Sequence, residues 1–325
     1  MTKQYQAAYR AISSLFVCAL LGACAGVPQT SHLLNNIPTK LATPHELVAT
    51  PFYAQQQYQC GPAALATLIN QHGVDVDLDA LVNRVYIPGR EGSLQIEIVS
   101  AAREYNLIPY VIKPELSTLL YEVLAGRPVL VLQNLGVSWY PQWHYAVVVG
   151  YNLAEQELVL RSGTTKRYVM SLRTFEYTWQ RSQRWALILL KPGDLPIAGT
   201  PFEYLKSLPG FERKENWTLL DSAYTAGIQR WPNDIGLKMG YGNALYLQGK
   251  LNFALTEYES VILTDSKFAP ALNNAAQIHM QQRNYRKALD YVNRAIKAGG
   301  VHIDEYRTTL KEVKNAMKLD RNVPK

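Results

Sequence analysis

Sulfur is scarce in this sequence: three cysteines, Cys18, Cys24 and Cys60, among 325 residues. So few cysteines exclude a disulfide-stapled scaffold. Six histidines are scattered along the chain, and with one internal cysteine they supply no ligand cluster, so no metal and no cofactor is expected. Dense runs of lysine or arginine are also missing. The formal charge of +7 is spread thinly, which fits an ordinary solvated surface and gives no reason to expect a nucleic-acid partner. Low-complexity tracts are lacking too, and the aliphatic and aromatic content is that of a globular chain.

What is present begins at the N-terminus, "MTKQYQAAYRAISSLFVCALLGAC". Lys3 and Arg10 form a basic start, and residues 11–21 are apolar apart from Ser13 and Ser14. That run is too short to span a bilayer comfortably and has the flanks of a signal peptide. It ends in Leu21-Gly22-Ala23-Cys24, which resembles the lipobox of bacterial lipoproteins. The resemblance implies cleavage before Cys24 and lipidation of that cysteine. Ala25, standing where an Asp would retain the protein in the inner membrane, implies an outer-membrane lipoprotein facing the periplasm. Cys18 would leave with residues 1–23, so Cys60 would be the one free thiol of the mature chain. A lone thiol in an oxidising compartment is either buried and inert or reactive.

Residues 24–48 are polar and read as a tether. Residues 49–191 mix helix and strand. The stretch 61–72 is helix-like, with Pro62 in its first turn and Gly73 at its stop; 94–105 and 116–124 are amphipathic. After them come β-rich runs at 128–134, 144–152, 157–163, 167–172 and 184–190. Helices first and sheet later is an α+β pattern. Residues 192–212 hold Pro192, Pro196, Pro201 and Pro209 and read as a linker. From 213 to 320 the chain is helical and repeats. "GNALYLQGKLNFALTEYESVI" at 242–262 aligns with "AQIHMQQRNYRKALDYVNRAI" at 276–296, an offset of 34. Gly242 matches Ala276, and Ala254 matches Ala288. This resembles the tetratricopeptide repeat, whose small residues let paired helices touch. Residues 219–234 look like the back half of an earlier, degenerate repeat, and 304–318 like a capping helix. Such stacks commonly bind peptide on one face, so a protein partner is expected there.

The chemistry centres on "QQQYQCGPAAL", residues 55–65. Cys60 stands at the start of a helix, where the macrodipole favours a thiolate, and Gly61 and Pro62 keep bulk away from the sulfur. A general base must come from elsewhere in the chain. His32 and His45 lie in the tether, and His279 and His302 in the repeats. His72 ends the nucleophile's own helix, about 18 Å along it at 1.5 Å per residue. That leaves His144, which opens the apolar run "HYAVVVGYN".

These two motifs, about 84 residues apart, resemble those of the C39-like cysteine peptidases of the papain-like fold, over roughly residues 48–190. The resemblance implies an α+β papain-like domain, followed here by the all-α tetratricopeptide repeats. It implies Cys60 as nucleophile, His144 as base, and a glutamine just before the cysteine that helps form the oxyanion hole. Gln55 is the first choice, with Gln56 and Gln57 as rivals. The family's third member, an Asp about 16 residues after the histidine, has no counterpart. That position falls near Leu160, Arg161 or Ser162 in "ELVLRSG", and only Ser162 offers a group that orients an imidazole. Asn152 lies at the wrong end of its strand. The expected activity is peptide hydrolysis on a protein or peptide substrate, with the repeats recruiting substrate or partner. An inactive adaptor and a Cys-His acyltransferase are the alternatives.

Overall fold

The computed structural model of this protein describes residues 26–55 and 59–321. The basic start, Cys18, the lipobox with Cys24, and Gln56 and Gln57 lie outside the described residues. Among the described residues, no helix is long and apolar enough to cross a membrane.

The first half is built on one antiparallel sheet. Its strands are β1 (His45–Glu46), β2 (Ile108–Val111), β3 (Val129–Asn134), β4 (Trp143–Asn152), β5 (Glu157–Ser162), β6 (Thr165–Ser171) and β7 (Ala186–Leu190), in the order β2-β7-β3-β4-β5-β6. The short β1 pairs with the far end of β4, His45 opposite Tyr151. Helices cover both faces, which is why the strands read as apolar runs and not as alternating ones. Leu130 and Leu132 of β3 join one core with Tyr145, Val147 and Val149 of β4. Val129 and Val131 join the other with Ala146 and Val148.

The first of these cores is closed by three helices: α2 (Cys60–Gln71), α3 (Leu78–Val85) and α4 (Gln95–Ala102). Residues 61–69 of α2 are buried without a break, and alanines at 63, 64 and 66 let the sheet come close. Helix α3 is capped by Asp77, whose Oδ1 accepts from the N–H groups of Asp79 and Ala80 at 3.0 and 3.2 Å. The sequence reading contains neither α3 nor β2. Both are short, and β2 carries Pro109, which lowers the strand signal.

The opposite face carries α1 (Pro28–Asn35), α5 (Leu116–Leu124) and α6 (Leu172–Gln180). Helix α1 corrects the expected tether at 24–48. Val27, Leu33 and Leu41 are buried, and the buried carboxylate of Glu176 accepts from the backbone N–H groups of Gln29 and Thr30 at 3.0 and 2.6 Å. A carboxylate on the first-turn donors satisfies groups that would otherwise lie orphaned and offsets the helix dipole. The Gln29 side chain accepts from Leu116 N–H at 2.6 Å and donates to the Pro114 carbonyl at 2.9 Å. This segment is part of the domain.

The expected linker at 192–212 is also corrected. It contains α7 (Pro201–Lys206) and α8 (Pro209–Glu212), followed by α9 (Trp217–Arg230), α10 (Ile235–Leu247), α11 (Leu251–Thr264), α12 (Ala269–Gln281), α13 (Tyr285–Ala298) and α14 (Ile303–Arg321). Alternate helices start at 201, 235, 269 and 303, each 34 after the last, and their partners start at 217, 251 and 285. The left-handed residues between partners keep the same spacing: Glu215, Gly249 and Arg283, at φ 53°, 73° and 59°. Residues 201–230 are therefore a first repeat whose front helix is broken before Pro209, since proline removes a helical donor and clashes with the preceding turn. At Gly242 a Cβ would sit 2.6 Å from Tyr258 Cε1, so the small residue is what lets α10 and α11 touch.

The broken helix docks on β2. Tyr204, Leu208 and Phe211 are fully buried in the same core as Ile108 and Tyr110. Asn216 Nδ2 donates to Asn106 Oδ1 at 2.7 Å. The repeats and the sheet domain thus share one core at their junction.

Candidate active site

Cys60 opens α2, and its helix has no side-chain cap at Gln59. The first-turn N–H groups of a helix have no partners within it, so those of Cys60 and Gly61 remain available, and Pro62 has none. Gly61 has a use beyond sparing the sulfur from bulk. A Cβ there would lie 2.6 Å from Ser93 Oγ, so glycine lets the loop before α4 close against the nucleophile's helix.

Gln55 is held at both ends. Its backbone N–H donates to the Gly163 carbonyl at 3.0 Å, and its side-chain Nε2 donates to the Tyr145 carbonyl at 3.2 Å. A glutamine amide carries two N–H bonds, so one stays free to face the cleft.

His144 lies near the start of β4, opposite Gln133. Its Nε2 is 2.8 Å from Ser162 Oγ. The sheet register explains the pairing: Val147 opposes Arg161, which sets Ser162 diagonally across from His144, within side-chain reach. The remaining candidates at that position go elsewhere. Leu160 is core. Arg161 is buried and donates to the carbonyls of Val48 and Lys166 at 3.1 and 2.8 Å, tying the segment before Gln55 to β5. Asn152 caps the turn at the other end of β4 through Ala154 N–H.

Cys60, His144 and Gln55 line one cleft of about 1340 Å³. Trp185 and Tyr145 line the same cleft, their rings edge to face at 6.0 Å. Burial pushes the Cys60 thiol up from its ordinary value, against the opposing pull of the backbone N–H groups of Tyr145, Gly61 and Cys60 itself. Burial alone pushes the His144 imidazole down. The sequence argument from the helix dipole points to a ready thiolate; desolvation outweighs the backbone N–H groups, and burial works against the charged form of both the thiol and the imidazole.

Sequence reasoning missed Ser93, whose Oγ is buried in the cleft wall without a partner, and the turn 181–185 on another wall. The only local signal for Ser93 is its place between Gly92 and a helix. Among the described residues, no group of three or more His, Cys, Asp or Glu side chains gathers as metal ligands would.

Residues 50–192 match the Peptidase C39 family. The match takes in β2 to β7 and α2 to α6; α1 and β1 lie before it and the helical repeats beyond it. Among solved structures, a C39-like peptidase from Bacillus anthracis is 18% identical, covering 46% of this chain and 98% of its own, with a TM-score of 0.39. The peptidase domain of Streptococcus ComA, a bifunctional ABC transporter, is 21% identical over 44% of this chain and 98% of its own, with a TM-score of 0.35. The Yersinia enterocolitica type III secretion chaperone SycD, solved with a peptide of the translocator YopD, is 19% identical over 39% of this chain and 100% of its own, with a TM-score of 0.35. No curated protein matches the chain.

Proposed function

We propose that this protein is an envelope-anchored cysteine peptidase, with its helical repeats recruiting a protein substrate or partner. The observation that carries the reading is the single cleft shared by Cys60, Gln55 and His144, with His144 Nε2 set 2.8 Å from Ser162 Oγ. A hydrogen bond at Nε2 leaves Nδ1 to serve the sulfur. His144 takes the thiol proton as Cys60 attacks the scissile carbonyl. The free N–H of Gln55 and the helix-start N–H groups stabilise the oxyanion. The imidazolium then gives its proton to the leaving amine. Water, deprotonated by His144, cleaves the thioester, and Cys60 departs as thiolate to recover the proton.

Burial, which disfavours both charged forms, makes proton transfer part of the attack. The anchor belongs to the same proposal: Cys24 carries lipid, and the protein faces the periplasm from the outer membrane. An adaptor without activity is the second reading, favoured by the raised Cys60 thiol and by a serine, not a carboxylate, on His144.

The test is labelling by a peptidyl acyloxymethyl ketone, with mapping of the labelled residue. Cys60 should be labelled in the wild type, and His144→Ala should slow labelling by orders of magnitude at unchanged melting temperature. Labelling that survives His144→Ala intact would move the adaptor reading to the front. For the anchor, the mature protein should pellet with membranes and Cys24→Ser should release it.

A further inference from the structure

The turn between α6 and β7 is held in a costly conformation. Gln183 and Arg184, neither of them glycine, both have left-handed backbones, at φ 57° and 54°. Each such residue costs on the order of 1–2 kcal/mol. The surroundings hold the turn there. Arg184 N–H donates to the Trp179 carbonyl at 3.0 Å, Trp179 Nε1 donates to the Trp185 carbonyl at 3.0 Å, and Ser182 Oγ reaches the carbonyls of Trp179 and Leu132. Strain fixed this firmly beside a reactive centre points to a function.

The turn sets two arginines in the cleft wall next to Trp185, which lines the same cleft as Cys60. Arg184 is incompletely satisfied. Its Nε is buried without a partner, and its Nη2 lies 3.4 Å from Gln180 Oε1 and 3.8 Å from Glu176 Oε1. Both Glu176 oxygens already accept from the start of α1. Arg181 is steered by the Gly136 carbonyl of the β3–β4 hairpin and has no carboxylate partner among the described residues. Arg90, also at the cleft, has none either, and Glu91 is the one acidic residue lining it. Three guanidinium groups against Glu91 and against Glu176, which is shared with the start of α1, leave the cleft an excess of positive charge, focused by its apolar walls. A planar guanidinium with unused N–H groups suits a carboxylate better than any neutral partner.

We propose that Arg184 and Arg181 form a carboxylate-binding subsite, so that the cleft selects peptides carrying Asp or Glu near the bond presented to Cys60. The inference rests on the peptidase reading for the word substrate, but binding at the subsite needs no catalysis. Two sources of carboxylate satisfy the chemistry, an acidic side chain and a free C-terminus.

The experiment uses the full chain with Cys60→Ala, immobilised. It is offered an equimolar pool of decapeptide twins, N-acetylated and C-amidated, that differ only by Glu or Gln at one scanned position. A second pool without acidic residues carries free or amidated C-termini. Retained peptides are counted by mass spectrometry. Glu peptides should be enriched about tenfold over their Gln twins, the worth of one charge-assisted hydrogen bond. Added Arg184→Gln or Arg181→Gln should erase that enrichment, and higher salt should weaken it. Arg181 is exposed, so its variant reads the subsite even if Arg184→Gln disturbs the Glu176 contact, and Arg184→Lys should retain part of the preference. Enrichment of free C-termini alone would assign the subsite to chain ends and overturn side-chain selection. Equal retention of the twins, or enrichment unchanged in both arginine variants, would overturn the subsite. Digestion of the same pools by wild type separates the two claims. Cleavage without acidic preference leaves the peptidase and removes the subsite; retention with preference but no cleavage does the reverse.

Discussion

The two halves of this molecule reach stability by different means. In the repeats, small residues at fixed intervals set how closely helices approach: Gly242 under Tyr258, then Ala254, Ala276 and Ala288, all buried. In the sheet domain, buried polar groups tie together segments far apart in sequence: Glu176 holds α1, and Arg161 holds the segment before Gln55. The first kind of order is local and periodic; the second is built from single contacts across more than a hundred residues. A third condition holds at the junction, where α7 and α8 belong to the repeats by register and to the sheet domain by packing.

The largest effect should come from that junction. Tyr204→Ala empties a fully buried aromatic site at a cost of about 3–5 kcal/mol. Denaturant unfolding followed by tryptophan fluorescence and by far-ultraviolet circular dichroism should shift together. Two separated transitions would mean that the halves are independent after all. The same core implies that a fragment starting at 213 loses the cover of Leu219, Leu220 and Tyr224 and melts without cooperativity.

Next is the repeat packing. Gly242→Ala places a methyl 2.6 Å from the Tyr258 ring, and overpacking of this kind costs about 1–3 kcal/mol. Stability by denaturant titration reads it, and an unchanged midpoint would show that α10 and α11 have slack.

Ser162→Ala acts on rate and not on fold. One neutral hydrogen bond contributes about 0.5–1.5 kcal/mol, so turnover of a cleaved peptide should drop at most roughly tenfold with the melting temperature unmoved. Ser162→Asp should raise the His144 pKa and, with it, activity, by stabilising the imidazolium.

Smaller still is the effect of pH on stability. Burial holds His72, His144 and His279 below their ordinary value. The unfolded chain then takes up protons more readily than the folded one. Stability should be at its full value above about pH 6.5 and fall as pH drops below it toward the depressed folded values. His279→Asn should flatten part of that decline. The smallest expected change is a gain: Glu215→Gly relieves a left-handed residue, and after the entropy cost of glycine should stabilise the first repeat by about 0.5 kcal/mol.

Legibility in the sequence followed the same division. The offset of 34 located the two full repeats, because small residues recur there at positions that packing demands. It did not extend to 201–212, because Pro201 and Pro209 read locally as breakers. Only the register of starts and of left-handed turn residues reveals the broken helix. In the sheet domain, Cys60, His144 and Ser162 are legible as chemistry, and the β4–β5 register adds that Ser162 stands within reach of the imidazole. The 24–48 segment looked like a tether because its partner, Glu176, lies more than 140 residues away. Arg184 was invisible for the same reason: nothing local marks an arginine as strained, half-buried and underpartnered.

The anchoring of α1 has a geometric consequence if Cys24 carries lipid. A free tether of some two dozen residues would let the domain roam up to about 80 Å from the bilayer. With Val27 buried in the domain, only Ala25 and Gly26 separate it from Cys24, a leash of at most about 11 Å. The cleft would then ride at a nearly constant height over the membrane, and it would meet only chains that pass at that level.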